Sequence, residues 1–207
     1  MTRAKTEALF VTRLYRADDA TARALNIELE KTCLSIAAED KAGRKWAREH
    51  GYKGYTSYAS LDDLTLRAPP FAALEKVLDS HLKAFARTLE YDLARTGKLA
   101  LDSIWLNVME EGSVHTGHIH PHSVISGTYY VRVPQGASAI RFEDPRLPLM
   151  MAAPARRQNA ARTNRTFVTV EPRERTLLLW ESFLRHEVPQ NSARGKRISI
   201  SFNYGLR

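Results

Sequence analysis

The chain has 207 residues, of which 43% are hydrophobic, so it fits one domain with a substantial core, and its single cysteine, Cys33, excludes an internal disulfide. The formal net charge of +8 favours anionic partners such as nucleic acid, an acidic protein, or a small carboxylate or phosphate. No apolar run approaches the roughly 18 residues that a membrane span needs, and residues 1–16 lack the apolar segment of a secretory signal, so we expect a cytoplasmic protein without membrane contact.

The first half of the chain is predicted to form a short strand followed by helices. The stretch LFVTRLYR, residues 9–16, is predicted as the strand, and a helix follows Asp18 and Asp19, which are candidate N-caps. Residues 51–64 carry glycines and polar residues and are predicted as a loop. A second helix is predicted between a Pro-Pro pair and Gly97. Its apolar positions recur every three or four residues: Phe71, Leu74, Leu78, Leu82, Phe85, Leu89 and Leu93.

The second half of the chain is predicted to consist of strands. They cover residues 103–110, 123–134, 138–144, 165–172, 175–189 and 196–205. Many short strands without helices between them favour an antiparallel sandwich or barrel over a parallel sheet. We therefore predict a single domain over residues 1–207, in which residues 1–100 form a strand and a helical layer and residues 101–207 form a jelly-roll core. The stretch 146–165 is made basic by Arg156, Arg157, Arg162 and Arg165, fits no element, and is predicted as a long loop that is either solvated or binds a partner.

Four of the seven histidines lie in one short segment, HTGHIHPHS at residues 115–123. Because residues i and i+2 of a strand point to the same face, His118 and His120 could bind one metal ion. A third ligand must come from elsewhere, and His186 at the end of LLLWESFLRH is the natural candidate. An H-x-H pair also occurs as a hydrogen-bonded surface pair, so the segment alone does not establish a metal site.

The last predicted strand has one polar and one apolar face. The polar face carries Arg197, Ser199, Ser201 and Asn203, and the apolar face carries Ile198, Ile200 and Phe202. If the apolar face packs on the helices, the polar face looks inward, which is costly unless a ligand or hydrogen bonds satisfy it. A buried arginine prefers a carboxylate, which either a ligand or the neighbouring Glu143 or Asp144 could supply.

Together these motifs resemble the 2-oxoglutarate- and Fe(II)-dependent oxygenases of the double-stranded β-helix fold, and within them a largely uncharacterised branch. The resemblance covers nearly the whole chain. It rests on LFVTRLYR, GYTSYASL, the W-x-N of Trp105 and Asn107, HIHPHSVISGTYYVRVP, IRFEDPR, and HEVP followed by GKRISISFN. It implies a mainly β fold with α, in which N-terminal helices pack on the major sheet of a cupin-like jelly roll. It also implies an enzyme that uses Fe(II), 2-oxoglutarate and O2 to oxidise an unknown substrate.

The usual iron site of these enzymes consists of two histidines and one carboxylate. Carried over by position, His118 and His186 would be ligands, whereas His120 stands where the carboxylate is expected. Either three histidines bind the metal or Asp144 supplies the carboxylate, and we favour the three histidines because Asp-Pro-Arg is more simply a turn with an internal ion pair. The resemblance implies no catalytic side chain beyond the metal ligands.

The resemblance also implies where the co-substrate binds. Arg197 would hold the distal carboxylate of 2-oxoglutarate, with Ser199 beside it. Asn107 and Tyr129 are candidates to contact the co-substrate, and Trp105 is a candidate to line the substrate pocket.

Two other functions stay open. One is a cupin-like three-histidine dioxygenase that does not use 2-oxoglutarate, in which Arg197 would hold a carboxylate of the substrate. The other is a non-catalytic protein that binds metal or nucleic acid through the basic loop, although the chain lacks an aromatic-basic stacking motif for single strands. An exposed barrel edge favours a homodimer.

Overall fold

Two antiparallel sheets and a helical layer make up the computed structural model, which describes residues 4–207; residues 1–3 of the predicted domain lie outside the described residues. In chain order the elements are β1 (Leu14–Ala17), α1 (Arg23–Glu39), α2 (Lys41–Glu49), β2 (Gly54–Thr56), α3 (Leu64–Arg67), α4 (Pro69–Thr88), α5 (Leu93–Thr96), β3 (Leu99–Met109), β4 (His115–His118), β5 (Ile125–Arg132), β6 (Ile140–Glu143), β7 (Phe167–Val170), β8 (Leu177–Glu181), β9 (His186–Val188) and β10 (Arg197–Leu206). None of the helices in residues 4–207 is long and apolar enough to cross a membrane.

The strands form a major and a minor sheet, which confirms the predicted jelly roll. The major sheet has the order β1-β8-β5-β10-β3-β2, and the minor sheet has the order β4-β9-β6-β7. From β4 to β10 consecutive strands alternate between the sheets, except that β6 and β7 form a hairpin within the minor sheet. The chain therefore winds as a double-stranded β-helix. The inner faces of the two sheets enclose a small apolar core that includes Met109, Tyr130, Phe142 and Trp180.

The helical layer covers the outer face of the major sheet. The predicted apolar stripe of α4 is buried from Phe71 to Phe85. It shares one hydrophobic cluster with Ile198, Ile200 and Phe202 of β10, so the apolar face of that strand packs on the helices as predicted. Cys33 on α1 is fully buried in the same cluster, and this burial raises the pKa of its thiol.

The first predicted helix is divided in two. Asp18 and Asp19 do not cap it, because Asp18 accepts a hydrogen bond from Thr176 at 2.7 Å and Asp19 pairs with Arg175. The helix begins only after Ala22, without a side-chain cap. It breaks at Asp40, whose carboxylate accepts a hydrogen bond from the Gly43 N–H at 3.0 Å and caps α2.

Several other predicted boundaries are wrong. Only the end of the stretch 9–16 pairs with β8, and the predicted loop 51–64 contains β2, which pairs with β3. The second helix ends at Thr88, and Gly97 ends the short α5 instead, at a φ of 112°. The predicted strand 175–189 is two strands, β8 and β9, which belong to different sheets.

Candidate metal and co-substrate site

A cavity of about 1000 Å³ lies between the two sheets. The polar face of β10 lines it through Arg197, Ser199, Ser201 and Asn203, as the sequence predicts. Trp105 and Asn107 of β3 also line it, together with the three histidines predicted as metal ligands. The polar face is therefore turned inward toward a space that a ligand can fill.

The three predicted histidines lie together on the minor sheet. His118 ends β4 and is paired directly with His186, which begins β9. His120 lies two residues beyond β4, where its backbone N–H donates to the carbonyl oxygen of Ser182 at 3.1 Å. One ring nitrogen of each histidine lies within 4.8 Å of those of the other two, an arrangement that could hold one metal ion.

Hydrogen bonds orient two of the three imidazoles. Nδ1 of His118 lies 2.7 Å from the carbonyl oxygen of Thr116, and Nδ1 of His186 lies 2.9 Å from the carbonyl oxygen of Leu184. Because a carbonyl oxygen only accepts hydrogen bonds, both Nδ1 atoms carry the proton. The Nε2 lone pairs are then free to bind a metal, which is the arrangement that carbonyl partners impose on metal-binding histidines.

Burial keeps the imidazoles of His120 and His186 in the form that binds metal. Desolvation lowers the pKa of His186 to about 3 and the pKa of His120 to about 4. Both rings are therefore neutral at pH 7, and neutral imidazole is the form that acts as a ligand.

The carboxylate of Asp144, the alternative metal ligand, forms an ion pair with Arg146. Its carboxylate accepts two hydrogen bonds from the guanidinium of Arg146, at 3.0 and 2.8 Å, and these bonds lower its pKa. The pair lies in the Asp-Pro-Arg turn after β6, as the sequence predicts. The geometry therefore favours three histidines over a site that includes Asp144.

Arg197 is a buried cation without an anion. Its side chain is 2% exposed, and within residues 4–207 it forms no ion pair with a carboxylate. Its Nη1 donates weakly to Ser199 and Met109, at 3.3 and 3.2 Å, and its Nε has no partner. Such an arrangement is costly in the absence of a ligand, so the chemistry of this end of the cavity calls for an anion.

Other buried polar groups in the cavity also lack partners. They are the Tyr130 hydroxyl, the Trp180 Nε1–H and the Asn107 Oδ1. The guanidinium of Arg197 lies 5.0 Å from the centre of the Tyr130 ring. Since buried polar groups in proteins are normally hydrogen-bonded, these groups fit a polar ligand near Arg197 and the histidines.

The assignment of Tyr129 to the co-substrate is wrong. Its hydroxyl contacts Thr21 at 2.6 Å and Asn26 at 2.7 Å in the core beneath the helices. Because successive side chains of a strand point to opposite faces, its neighbour Tyr130 is the residue that faces the cavity.

A polar pair beside Arg197 was not predicted from the sequence. The Tyr52 hydroxyl lies 3.0 Å from Nε2 of His115, and both residues line the cavity. Burial and, to a smaller extent, the nearby Arg197 lower the pKa of His115 to about 3. The histidine-rich segment signalled His115, whereas Tyr52, which lies 63 residues earlier, carried no signal.

The comparisons with known proteins agree with this site. Residues 103–203 match the model of a family described as "Putative 2OG-Fe(II) oxygenase". A search of curated proteins found no match.

Solved structures share the fold at low sequence identity. The epimerase SnoN, in complex with Fe3+, alpha ketoglutarate and nogalamycin RO, is 13% identical over 94% of this chain and 79% of its own, with a TM-score of 0.65. A Trichoplax adhaerens prolyl hydroxylase in complex with a hypoxia inducible factor peptide is 13% identical over 93% and 83%, with a TM-score of 0.62. HygX from Streptomyces hygroscopicus, with nickel and 2-oxoglutarate bound, is 16% identical over 94% and 83%, with a TM-score of 0.59. The matched residues 103–203 contain the three clustered histidines and Arg197, so the jelly-roll half of the chain is similar to this family of putative 2OG-Fe(II) oxygenases.

Proposed function

We propose that the protein is an Fe(II)- and 2-oxoglutarate-dependent dioxygenase that oxidises a substrate not yet identified. The observation that carries the proposal is a buried, unpaired Arg197 in the same cavity as three clustered histidines. A cation at one end and a neutral nitrogen donor set beside it suit a ligand with a carboxylate at each end. The structures of SnoN and HygX, which hold this co-substrate in the same fold, support the proposal.

The residues that line the cavity fit both Fe(II) and 2-oxoglutarate. His118, His120 and His186 would hold Fe(II), the first and last through Nε2. When bound, the iron supplies the oxidising chemistry that couples O2 to the decarboxylation of 2-oxoglutarate into succinate and CO2.

The protein's own side chains would bind and orient the co-substrate. Arg197 offers its unpartnered Nε–H and its weakly bonded Nη atoms to the distal carboxylate, and the Ser199 hydroxyl lies 3.3 Å from that guanidinium. The Tyr130 hydroxyl is fully buried without an acceptor and can donate to the same carboxylate. These three donors would hold the distal carboxylate and thereby orient the opposite, keto-acid end toward the histidines.

The test is an anaerobic titration of the metal-free protein with Fe(II), with and without 2-oxoglutarate. We expect a weak visible charge-transfer band that needs both components. The band should be lost in His186→Ala and weakened in Arg197→Ala, whereas the control Asp144→Ala should retain it because that carboxylate pairs with Arg146. A band that survives in His186→Ala, or that is lost only in Asp144→Ala, would contradict the assignment.

The same titration separates the rival functions. Stoichiometric iron without a band would favour the cupin-like dioxygenase, in which Arg197 holds a carboxylate of the substrate. Absence of bound metal would favour a non-catalytic role. A cytoplasmic location, a homodimer and nucleic-acid binding through residues 146–165 stay predictions.

A further inference from the structure

The end of the cavity opposite Arg197 is lined by an aromatic and an acidic side chain, Trp105 and Asp102. Arg197 is paired with Met109 at the end of β3, and Asp102 lies seven residues earlier on that strand, roughly 23 Å away at the usual rise. Trp105 lies between them, with its ring centre 5.9 Å from that of His120. The cavity therefore leads from Arg197 past the histidines to Trp105 and then to Asp102.

Two aromatic rings form a corner on this path. The ring centres of Tyr58 and Trp105 are 5.3 Å apart, and their planes meet at 74°. Trp105 is 8% exposed and Tyr58 is 63% exposed, so the corner reaches from the inside of the cavity to its entrance. Nearly perpendicular aromatic faces are the walls with which proteins surround alkylammonium groups, which bind to the negative faces of the rings.

The charge of the entrance agrees with a cationic ligand. Among the described residues that line the cavity, Asp102 and Arg197 are the only Asp, Glu, Lys or Arg. Asp102 is exposed, and no hydrogen bond or ion pair joins its carboxylate to another residue between 4 and 207. The entrance therefore carries a free negative charge although the chain carries +8. The anionic substrate that the net charge favours would meet a carboxylate there.

We propose that the substrate carries an alkylammonium group, either a protonated or a methylated amine, which binds between Tyr58 and Trp105 with Asp102 as its counter-ion. The proposal rests on the proposed function, because the reacting carbon must extend past Trp105 to reach the histidines. Arg197 does not oppose this cation, since it lies at the far end and is neutralised by the co-substrate.

The test compares two probes of nearly equal shape, choline and its neutral isostere 3,3-dimethyl-1-butanol. Their affinities are measured by calorimetry on the full chain loaded with Zn(II) and 2-oxoglutarate. We expect choline to bind about fivefold to thirtyfold more tightly than the isostere. Asp102→Asn and Tyr58→Leu should each weaken choline about fivefold and leave the isostere nearly unchanged. Both side chains are exposed, so the variants should fold. Phe10→Leu is the matched control, because Phe10 is an exposed aromatic residue that does not line this cavity.

Equal affinities of the two probes, no binding of choline, or an unchanged choline affinity in both variants would overturn the proposal. Binding of 2-oxoglutarate to the same samples tests the proposed function separately. If that binding depends on Arg197 and choline shows no preference, only the substrate class is wrong. If 2-oxoglutarate does not bind, the proposed function itself is wrong.

Discussion

Replacing Arg197 by methionine is expected to stabilise the ligand-free protein while removing its response to 2-oxoglutarate. Arg197 is 2% exposed, and its Nε has no hydrogen-bond partner. A methionine of similar length would keep the contact with Met109 and the Tyr130 ring without burying a charge. The side chain is thus better suited to a bound carboxylate than to the empty cavity.

The burial of Arg197 sets the size of both expected effects, which are the stabilisation of the ligand-free protein and the loss of affinity for 2-oxoglutarate. Replacement of buried ionic groups by apolar residues often stabilises proteins by about 1–4 kcal/mol. Because Ser199 and the Tyr130 ring already compensate part of the charge, we expect about 1–2 kcal/mol, or about 2–8 °C in Tm for a chain of this size. Loss of a desolvated charge pair costs about 3–5 kcal/mol, so the affinity for 2-oxoglutarate should fall more than about hundredfold.

Thermal unfolding of the wild type and the variant, each with and without Zn(II) and 2-oxoglutarate, measures both effects. Arg185→Met is the control, because Arg185 is half exposed and lies 3.4 Å from Glu143 in a surface pair, which contributes at most about 1 kcal/mol. A variant of Arg197 that melts below the wild type without ligand would refute the argument. So would a variant that keeps the full stabilisation by 2-oxoglutarate.

Three further predictions concern the surroundings of the site. Tyr130→Phe removes a buried hydroxyl that has no partner, so it should leave the unfolding free energy within about 1 kcal/mol and weaken 2-oxoglutarate about threefold to tenfold in calorimetry. Gly43→Ala brings a methyl group against the carboxylate of Asp40; we expect a loss of about 1–3 kcal/mol in urea unfolding, and an unchanged midpoint would contradict this packing. The metal-free protein should lose stability as the pH falls below about 6.5, because the pKa values of His115 and His186 are lowered to about 3 in the folded state. The unfolded chain then binds more protons than the folded chain, and an unfolding free energy that is constant between pH 7 and 5 would rule this out.

The residues predicted correctly from sequence lie where the two faces of a strand differ in polarity. In RISISFN the polar and apolar residues alternate, so the period of two alone shows that Arg197 and Ser199 lie opposite Ile198. The same period of two predicts that His118 and His120 share one face. The third predicted ligand, His186, is indicated in the sequence only because it ends a strongly apolar stretch, and its direct pairing with His118 depends on the tertiary fold.

The errors lie where both faces of a strand are buried. In ISGTYYVR every residue up to Val131 is buried, so alternation cannot show whether Tyr129 or Tyr130 faces the cavity. The apolar stretch 175–189 is similar, because its two halves belong to different sheets and both are buried. The turn between them contains no glycine or proline to indicate the break. Tyr52 reaches the site only through long-range packing.

The three-histidine set itself leads to a last prediction, on the coupling between metal and co-substrate. Neutral imidazoles leave the charge of a divalent ion uncompensated, so 2-oxoglutarate would be its main anionic partner, and each should strengthen the binding of the other. His120→Asp adds one negative charge to the three predicted ligands. The Coulomb interaction of that charge with the metal ion contributes about 1–2 kcal/mol at this partly exposed position. We expect tighter metal binding without 2-oxoglutarate and about tenfold weaker binding of 2-oxoglutarate to the metal-loaded variant.

The matched control is His122→Asp, which makes the same change at an exposed residue outside the cluster, at a φ of 71° that aspartate tolerates. Metal titrations with and without 2-oxoglutarate measure the coupling. If both variants change it equally, His120 acts only through its general charge and is not a metal ligand.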